Sequence, residues 1–253
     1  MPFQIDISPT VVGSHQFIAV AWRNVSTGVP VPFRRPLRSA PVSTGAWVLL
    51  GVAALVAVGD WMAVHLERKP LEYVCKPLTM VVLIGLALSL DVDSTSVRAW
   101  FVAALVLSML GDIFLMLPRD LFVAGLASFL VAHLAFIVGL WVDGVATGRL
   151  AIGVAFAVVA VAIVGLRIIR AVRAGEQPEL ALPVIAYMTA ISTMVASAIG
   201  TGEALAIAGA ALFFCSDALI AWERFVRSQP WHRLAIIVTY HAAQAGLTLS
   251  LIS

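Results

Sequence analysis

From Ala46 to the end of the chain one pattern repeats: long apolar runs broken by short polar stretches. The runs fall at 46–65, 77–90, 99–117, 122–141, 150–169, 181–200, 204–222 and 233–252. Within each, apolar residues occupy every face rather than every second position, which predicts helices and not strands. A helix satisfies its own backbone hydrogen bonds in lipid, and crossing the hydrocarbon core takes about 20 apolar residues. The predicted fold is therefore an all-α membrane protein, an eight-transmembrane-helix bundle occupying 45–253. Its connections are too short to hold a soluble domain. Trp47, Trp100 and Trp141 mark span ends on one side, and Trp61, Trp222 and Trp231 on the other. That is the distribution of an interfacial aromatic belt.

Composition agrees with the pattern. Hydrophobic residues make up 61% of the 253 and charged residues 12%, and mean hydropathy is +1.01. A soluble core of this size cannot hide that much apolar surface, so a water-soluble globular enzyme is excluded. A net charge of +2, with scattered basic residues, gives no footprint for nucleic acid. Cys75 and Cys215 sit in apolar surroundings and imply no disulfide framework. Residues 1–44 differ from the rest: Pro30, Pro32, Pro36 and Pro41 accompany Arg34, Arg35 and Arg38 without sustained periodicity. They are expected to form a disordered basic tail, and no signal-peptide pattern stands in them. The loops after spans 1, 3, 5 and 7 carry ten Lys and Arg, against six for the opposite loops and the tail together. This bias expects the odd-numbered loops in the cytoplasm and the protein in the plasma (inner) membrane, with the site opening on the cytoplasmic side.

The two halves carry a weak repeat. Asp112 and Asp217 are 105 residues apart, and Pro77 and Pro183 are 106 apart, each pair separated by four spans. A parallel 4+4 pseudo-repeat is a known membrane architecture. Ionisable groups within a bilayer are costly, so each is a functional candidate. Asp112 lies six residues before Pro118 and Asp217 six before Glu223, roughly 9 Å inside the same face at about 1.5 Å per residue. Asp60, Lys76, Tyr187 and Tyr240 belong to the same half of the bilayer; His133 is deeper, and Gln244 lies one turn from Tyr240. Each has a plainer reading beside this one. Asp60 next to Trp61 fits an interhelical hydrogen bond, Lys76 can snorkel to the interface, and a lone histidine is often a packed core residue. A carboxylate two turns deep, however, needs a partner or a proton. Polar groups gathered in one leaflet on several helices predict a polar cavity open to one face, above an apolar floor. Span 5, almost wholly aliphatic, is expected to face lipid.

Two carboxylates and a histidine in a low-dielectric cavity suit general acid–base catalysis, because unlike surroundings push their proton affinities apart. No nucleophile elbow, phosphate loop or dinucleotide fingerprint is present, and without paired metal-ligand spacing the metal signal of Asp112, His133 and Asp217 is weak. An intramembrane aspartyl protease also uses two aspartates, but Met109 stands where its pattern requires glycine. A lipid or small-solute transporter, or a receptor, is compatible with the same cavity; in a transporter the aspartates would relay protons.

The segments Gly111-Asp112-Ile113-Phe114-Leu115, Phe129-Leu130-Val131-Ala132-His133 and Leu212-Phe213-Phe214-Cys215-Ser216-Asp217 resemble motifs of the YhhN/TMEM86 family. Tyr240-His241-Ala242-Ala243-Gln244 and Lys76-Pro77 are similar to its motifs too, and the resemblance covers about 46–252. It implies a lysoplasmalogenase: a membrane hydrolase that cleaves the sn-1 vinyl ether of lysoplasmalogens to a fatty aldehyde and glycerophosphoethanolamine or glycerophosphocholine, without a cofactor. On that reading Asp112, Asp217 and His133 are catalytic. Asp112 is expected to protonate the vinyl ether and Asp217 to stay ionised. Lys76, Tyr187, Tyr240, Gln244 and Asp60 bind the lysophospholipid, with Lys76 meeting its phosphate.

Overall fold

The computed structural model describes residues 4–12, 15–23 and 43–252, and the chain divides into two units, Met1–Ser39 and Ala40–Ser253. In the first, β1 (Gln4–Val12) and β2 (His15–Arg23) pair antiparallel, from Gln4 opposite Arg23 to Val12 opposite His15. This hairpin stands where the sequence reading expects a disordered tail. The alternation Ile5-Asp6-Ile7-Ser8, ahead of Gly13-Ser14, is the strand signal that the Pro and Arg content outweighed. The expected tail between Pro30 and Pro41 lies outside the described residues.

The second unit is all-α, with eight spans long and apolar enough to cross a membrane. They are α1 (Thr44–His65), α2 (Lys69–Ser89), α3 (Thr95–Met116), α4 (Phe122–Asp143), the pair α5 (Thr147–Ala160) and α6 (Leu166–Ala174), α7 (Ala181–Thr201), α8 (Ala204–Phe225) and α9 (His232–Leu249). Every span expected from the sequence is present, and the protein is a multi-pass integral membrane protein.

Two helices differ from expectation. The second span begins at Lys69 rather than 77, because Pro70 opens its first turn, where a missing N–H costs nothing. Pro77 therefore lies inside the helix. The fifth span runs on to Ala174, through a π-helical turn at Val161–Gly165 that joins α5 to α6.

The ends are capped by recognisable chemistry. Ser43 and Ser94 accept hydrogen bonds from the first-turn amides of Ala46 and Val97. Arg98 donates to the carbonyl of Leu90 at the end of α2 (3.2 Å). Arg149 donates to those of Gly200 (3.1 Å) and Thr201 (2.7 Å) at the end of α7. A cation at a helix C-terminus is favourable, so both arginines of the even-numbered loops are engaged in capping.

Six helices close a ring. α2 packs on α3, α3 on α4, α4 on α7, α7 on α8, α8 on α9, and α9 returns to α2. α1 lies outside it against α2 and α9, while α5 lies outside against α7. The fifth span is the least buried of the eight, as its aliphatic sequence predicts. Inside the ring the half nearer the even-numbered loops is filled. Phe101 meets Phe136 edge-on at 5.3 Å, and Phe213 lies against Phe129, Phe136 and Tyr240. Packed aromatic rings of this kind add to what their area alone contributes.

Helices α8 and α9 cross in close backbone contact. A Cβ on Gly209 would lie 2.7 Å from the backbone nitrogen of Leu247 and 3.0 Å from the carbonyl oxygen of Ala243. Backbone cannot yield there as a flexible side chain can. Gly209→Val is therefore expected to force the helices apart at a cost of about 1–3 kcal/mol. Thermal unfolding in detergent would read this as a lowered midpoint, whereas Gly51→Val, with nothing near its Cβ, should leave the midpoint unchanged.

Candidate active site

Each of the six ring helices places one polar side chain toward the centre: Lys76 from α2, Asp112 from α3, His133 from α4, Tyr187 from α7, Asp217 from α8 and Tyr240 from α9. They form two groups, each built around one aspartate. In the first, Lys76 Nζ lies 2.9 Å from Asp112 Oδ1, and the Tyr240 hydroxyl donates to Asp112 Oδ2 at 2.5 Å. Lys76 also lies 5.6 Å from the centre of the Tyr240 ring. Asp112 is buried, and a buried carboxylate is tolerable only with such partners. The lysine therefore turns inward instead of snorkelling.

In the second group the Tyr187 hydroxyl donates to Asp217 Oδ2 at 2.5 Å, and His133 Nε2 approaches the same oxygen at 3.4 Å. The other ring nitrogen, His133 Nδ1, is hydrogen-bonded to the carbonyl oxygen of Phe129 on its own helix. A carbonyl can only accept, so Nδ1 carries a proton. A neutral His133 therefore presents a lone pair to Asp217. Among the described residues no lysine or arginine contacts Asp217, in contrast to Asp112.

Asp60 and Gln244 do not join these groups. Asp60 is fully buried, with His241 Nε2 at 3.8 Å. The Trp61 indole donates to His241 Nδ1 at 3.1 Å. This fixes the tautomer with Nε2 protonated and aimed at Asp60. Gln244 is fully buried one turn below Tyr240, and its amide has no hydrogen-bond partner among the described residues. Neither residue lines a cavity open to the outside.

Two open spaces reach the site. A vestibule on the face of the odd-numbered loops is walled by Glu72, Lys76, Glu223, Arg224 and Arg233. An apolar cleft runs between α4, α6, α7 and α8 and ends at Tyr187 and Asp217; Phe129, Ile168, Met188 and Phe214 are among its walls. Leu115, Phe122 and Ile220 line both spaces and stand between them. The open apolar space is thus lateral. The floor expected beneath the aspartates is filled by Phe136 and Phe213, because aromatic side chains there leave no gap.

At the rim, Arg224 pairs with Asp120 at 2.9 Å, and this hydrogen bond holds the Asp120 carboxyl below its ordinary range. Sequence reasoning missed Glu72 and Arg233. Glu72 lies one helical turn before Lys76 and accepts from Lys69 at 2.9 Å and from Arg233 at 3.1 Å. Glu72 fell between two apolar runs and Arg233 at the first residue of the last one, and only their spacing from Lys76 and from Tyr240 pointed inward.

Among the described residues, no three His, Cys, Asp or Glu side chains converge to hold a metal ion. Cys75 and Cys215 are free thiols.

Comparison with known proteins places the same residues in a family. The pattern that defines the YhhN family matches residues 71–251, which contain all six of the central side chains. The chain belongs to the YhhN family. It is 32% identical over 239 residues to a lysoplasmalogenase of Mycobacterium tuberculosis, covering 87% of each chain. It is also 32% identical over 177 residues to lysoplasmalogenase TMEM86B of Rattus norvegicus, covering 70% of each. No solved structure matches it significantly. Helix α1 lies ahead of the matched segment, and with it Asp60 and Trp61.

The Lys76–Asp112 pair gives a structural test. Lys76→Met leaves Asp112 buried without its counter-charge, and breaking a buried pair in this way costs about 3–5 kcal/mol. The double variant Lys76→Met/Asp112→Asn is expected to recover most of that loss in thermal unfolding. Equal destabilisation of the single and double variants would show that the pair does not support the fold.

Proposed function

We propose that this YhhN protein hydrolyses the sn-1 vinyl ether of lysoplasmalogens by carboxyl acid–base catalysis, releasing a fatty aldehyde and the glycerophospho-alcohol. The observation that carries the reading is the position of Asp217, at the inner end of an apolar cleft that meets a charged vestibule. An amphiphile with its alkenyl chain in the cleft and its headgroup in the vestibule brings its ether between the two aspartates. The printed names of the relatives support the same activity.

The contacts favour an assignment of roles opposite to the one expected from sequence. Asp112, with Lys76 at 2.9 Å, is the ionised carboxylate. Asp217, facing a histidine lone pair and no ammonium or guanidinium, is the acid. Asp217 delivers its proton to the outer carbon of the vinyl ether, and the ether carbon becomes an oxocarbenium ion. Asp112 stabilises that cation and takes a proton from the water that adds to it. The resulting hemiacetal collapses: its C–O bond to glycerol breaks, and its hydroxyl proton passes to the leaving oxygen. Asp112 then returns its proton to the vestibule, and Asp217 takes one up.

Tyr187 and His133 both meet Asp217 Oδ2, which leaves its Oδ1 for the reacting group, whereas Lys76 and Tyr240 hold the two oxygens of Asp112. Asp60 and Gln244 support Tyr240 and His241 from behind and do not touch the lipid.

We infer further that the two halves are duplicates. Each aspartate contacts the second helix of its own half (Lys76 or Tyr187) and the fourth helix of the other half (Tyr240 or His133). The face carrying the vestibule is assigned to the cytoplasm of the plasma (inner) membrane, since the cations there outnumber those opposite and Arg98 and Arg149 are used as caps.

Purified protein in detergent is expected to release aldehyde from a defined lysoplasmalogen. Asp112→Asn and Asp217→Asn should each lower turnover by about 10²–10⁴-fold, the usual share of a positioned acid or base, while both variants stay folded. Tyr187→Phe is expected to cost less than either. Wild-type turnover in Asp217→Asn would sink the assignment of the acid, and no aldehyde from folded wild type would sink the reaction.

A further inference from the structure

Glu72 is anchored while its partners are not. Its side chain is 9% exposed, whereas those of Lys69 and Arg233, which both hold it, are 48% and 40% exposed. Arg233 reaches both carboxylate oxygens, at 3.3 and 3.1 Å. The group borders the vestibule together with Lys76. Glu72 and Asp112 supply two negative charges there, and Lys69, Lys76 and Arg233 supply three positive ones. Glu223 and Arg224, the latter paired with Asp120, border the same vestibule, so it presents charges of both signs, as a zwitterionic headgroup does. Glu72 lies four residues before Lys76 on α2, roughly 6 Å of helix rise above it. In a lysophospholipid the glycerol carbons between the ether oxygen and the phosphate span a comparable distance. An ether held at Asp112 brings its phosphate to the level of Arg233 and Lys69.

We propose that Glu72, Arg233 and Lys69 form the site for a zwitterionic phosphoethanolamine headgroup, a proposal that rests on the lipid-hydrolase reading above. In the empty protein the Glu72–Arg233 pair occupies the place of the headgroup's own charges. On binding, Arg233 and Lys69 turn to the phosphate, and the substrate's ammonium replaces them at Glu72. The exchange leaves no buried carboxylate without a cation, so it avoids the penalty of an unpaired charge. Guanidinium suits phosphate because it presents paired donors in one plane. A primary ammonium has N–H groups to give to Glu72, and a choline headgroup has none. Glu72 therefore selects ethanolamine over choline.

The test compares three alkenyl lysophospholipids, with ethanolamine, choline or a bare phosphate headgroup, on the full-length protein in detergent. Wild type is expected to prefer ethanolamine. Glu72→Gln should raise KM for the ethanolamine substrate about tenfold, the worth of one charge-assisted hydrogen bond, with kcat and the bare-phosphate substrate little changed. Arg233→Gln should raise KM for all three. Glu72→Gln/Arg233→Gln removes both charges at once, so no orphan carboxylate can disturb folding, and it should also lose the ethanolamine preference. For Glu72→Gln, a uniform loss across headgroups, or no loss in any, overturns the site and leaves a structural tie between α2 and α9.

Binding of a non-cleavable alkyl-ether lysophosphoethanolamine, measured by calorimetry, separates the two readings. Glu72-dependent binding without any aldehyde release would keep the headgroup site and reject the hydrolase. Aldehyde release without headgroup dependence would do the reverse.

Discussion

The arrangement depends on the cost of a carboxylate inside a low-dielectric bundle. Two aspartates sit buried among aromatic side chains, and each must be given a partner by another helix. Asp112 draws Lys76 inward from α2 and Tyr240 across from α9; Asp217 draws Tyr187 from α7 and His133 from α4. The requirement therefore binds all six ring helices to one centre. Apolar side chains alone would not fix their register, since lipid tails solvate them as well as other helices do. Close backbone contact at Gly209 and Gly246 supplies the packing, and the polar contacts specify which faces meet.

That same requirement separates the two carboxyls chemically. Chemically identical side chains at one depth acquire unlike neighbours: an ammonium for Asp112 and an imidazole lone pair for Asp217. The proposed division of labour between acid and base rests on such differences in environment. The Phe129 carbonyl is decisive, because by accepting from Nδ1 it sets which face of His133 is basic. The third buried carboxyl, Asp60, has its own histidine in the opposite tautomer, fixed by the Trp61 indole. The chain thus holds two Asp–His pairs of opposite polarity, one inside the ring and one between α1 and α9.

Substrate access follows from where the ring is filled and where it is not. Phe101, Phe136 and Phe213 close the centre toward the even-numbered loops, so the only described routes to the aspartates are the charged vestibule and the lateral apolar cleft. Leu115, Phe122 and Ile220 stand where these meet. In the proposed reading an amphiphile spans that boundary with its charge in the vestibule and its chain among α4, α6, α7 and α8. The π-helical turn at Val161–Gly165 lies beside this cleft, through Val164.

Much of this was legible along the chain, since hydropathy is a property of short windows. The eight spans, the depth of Asp112 and Asp217, and the gathering of polar groups in one leaflet all follow from counting residues. Span ends were less legible where a proline or a charge interrupted the apolar run, so the first two turns of α2 were read as loop, and Glu72 with them. The hairpin at Gln4–Arg23 was hidden by the composition around it. What no window contains is which residue on one helix faces which on another. Gln244 shares a face with Tyr240 yet meets no cavity, and Asp60 turns to His241 instead of Lys76. The apolar space lies beside the site and not under it. Those outcomes depend on the volumes of Phe136 and Phe213, contributed by helices distant in sequence. The sequence by itself determined that the chain crosses a bilayer and at what depth its charges lie. Only the tertiary structure decided their partners, because a buried charge is paired by proximity in space and not by distance along the chain.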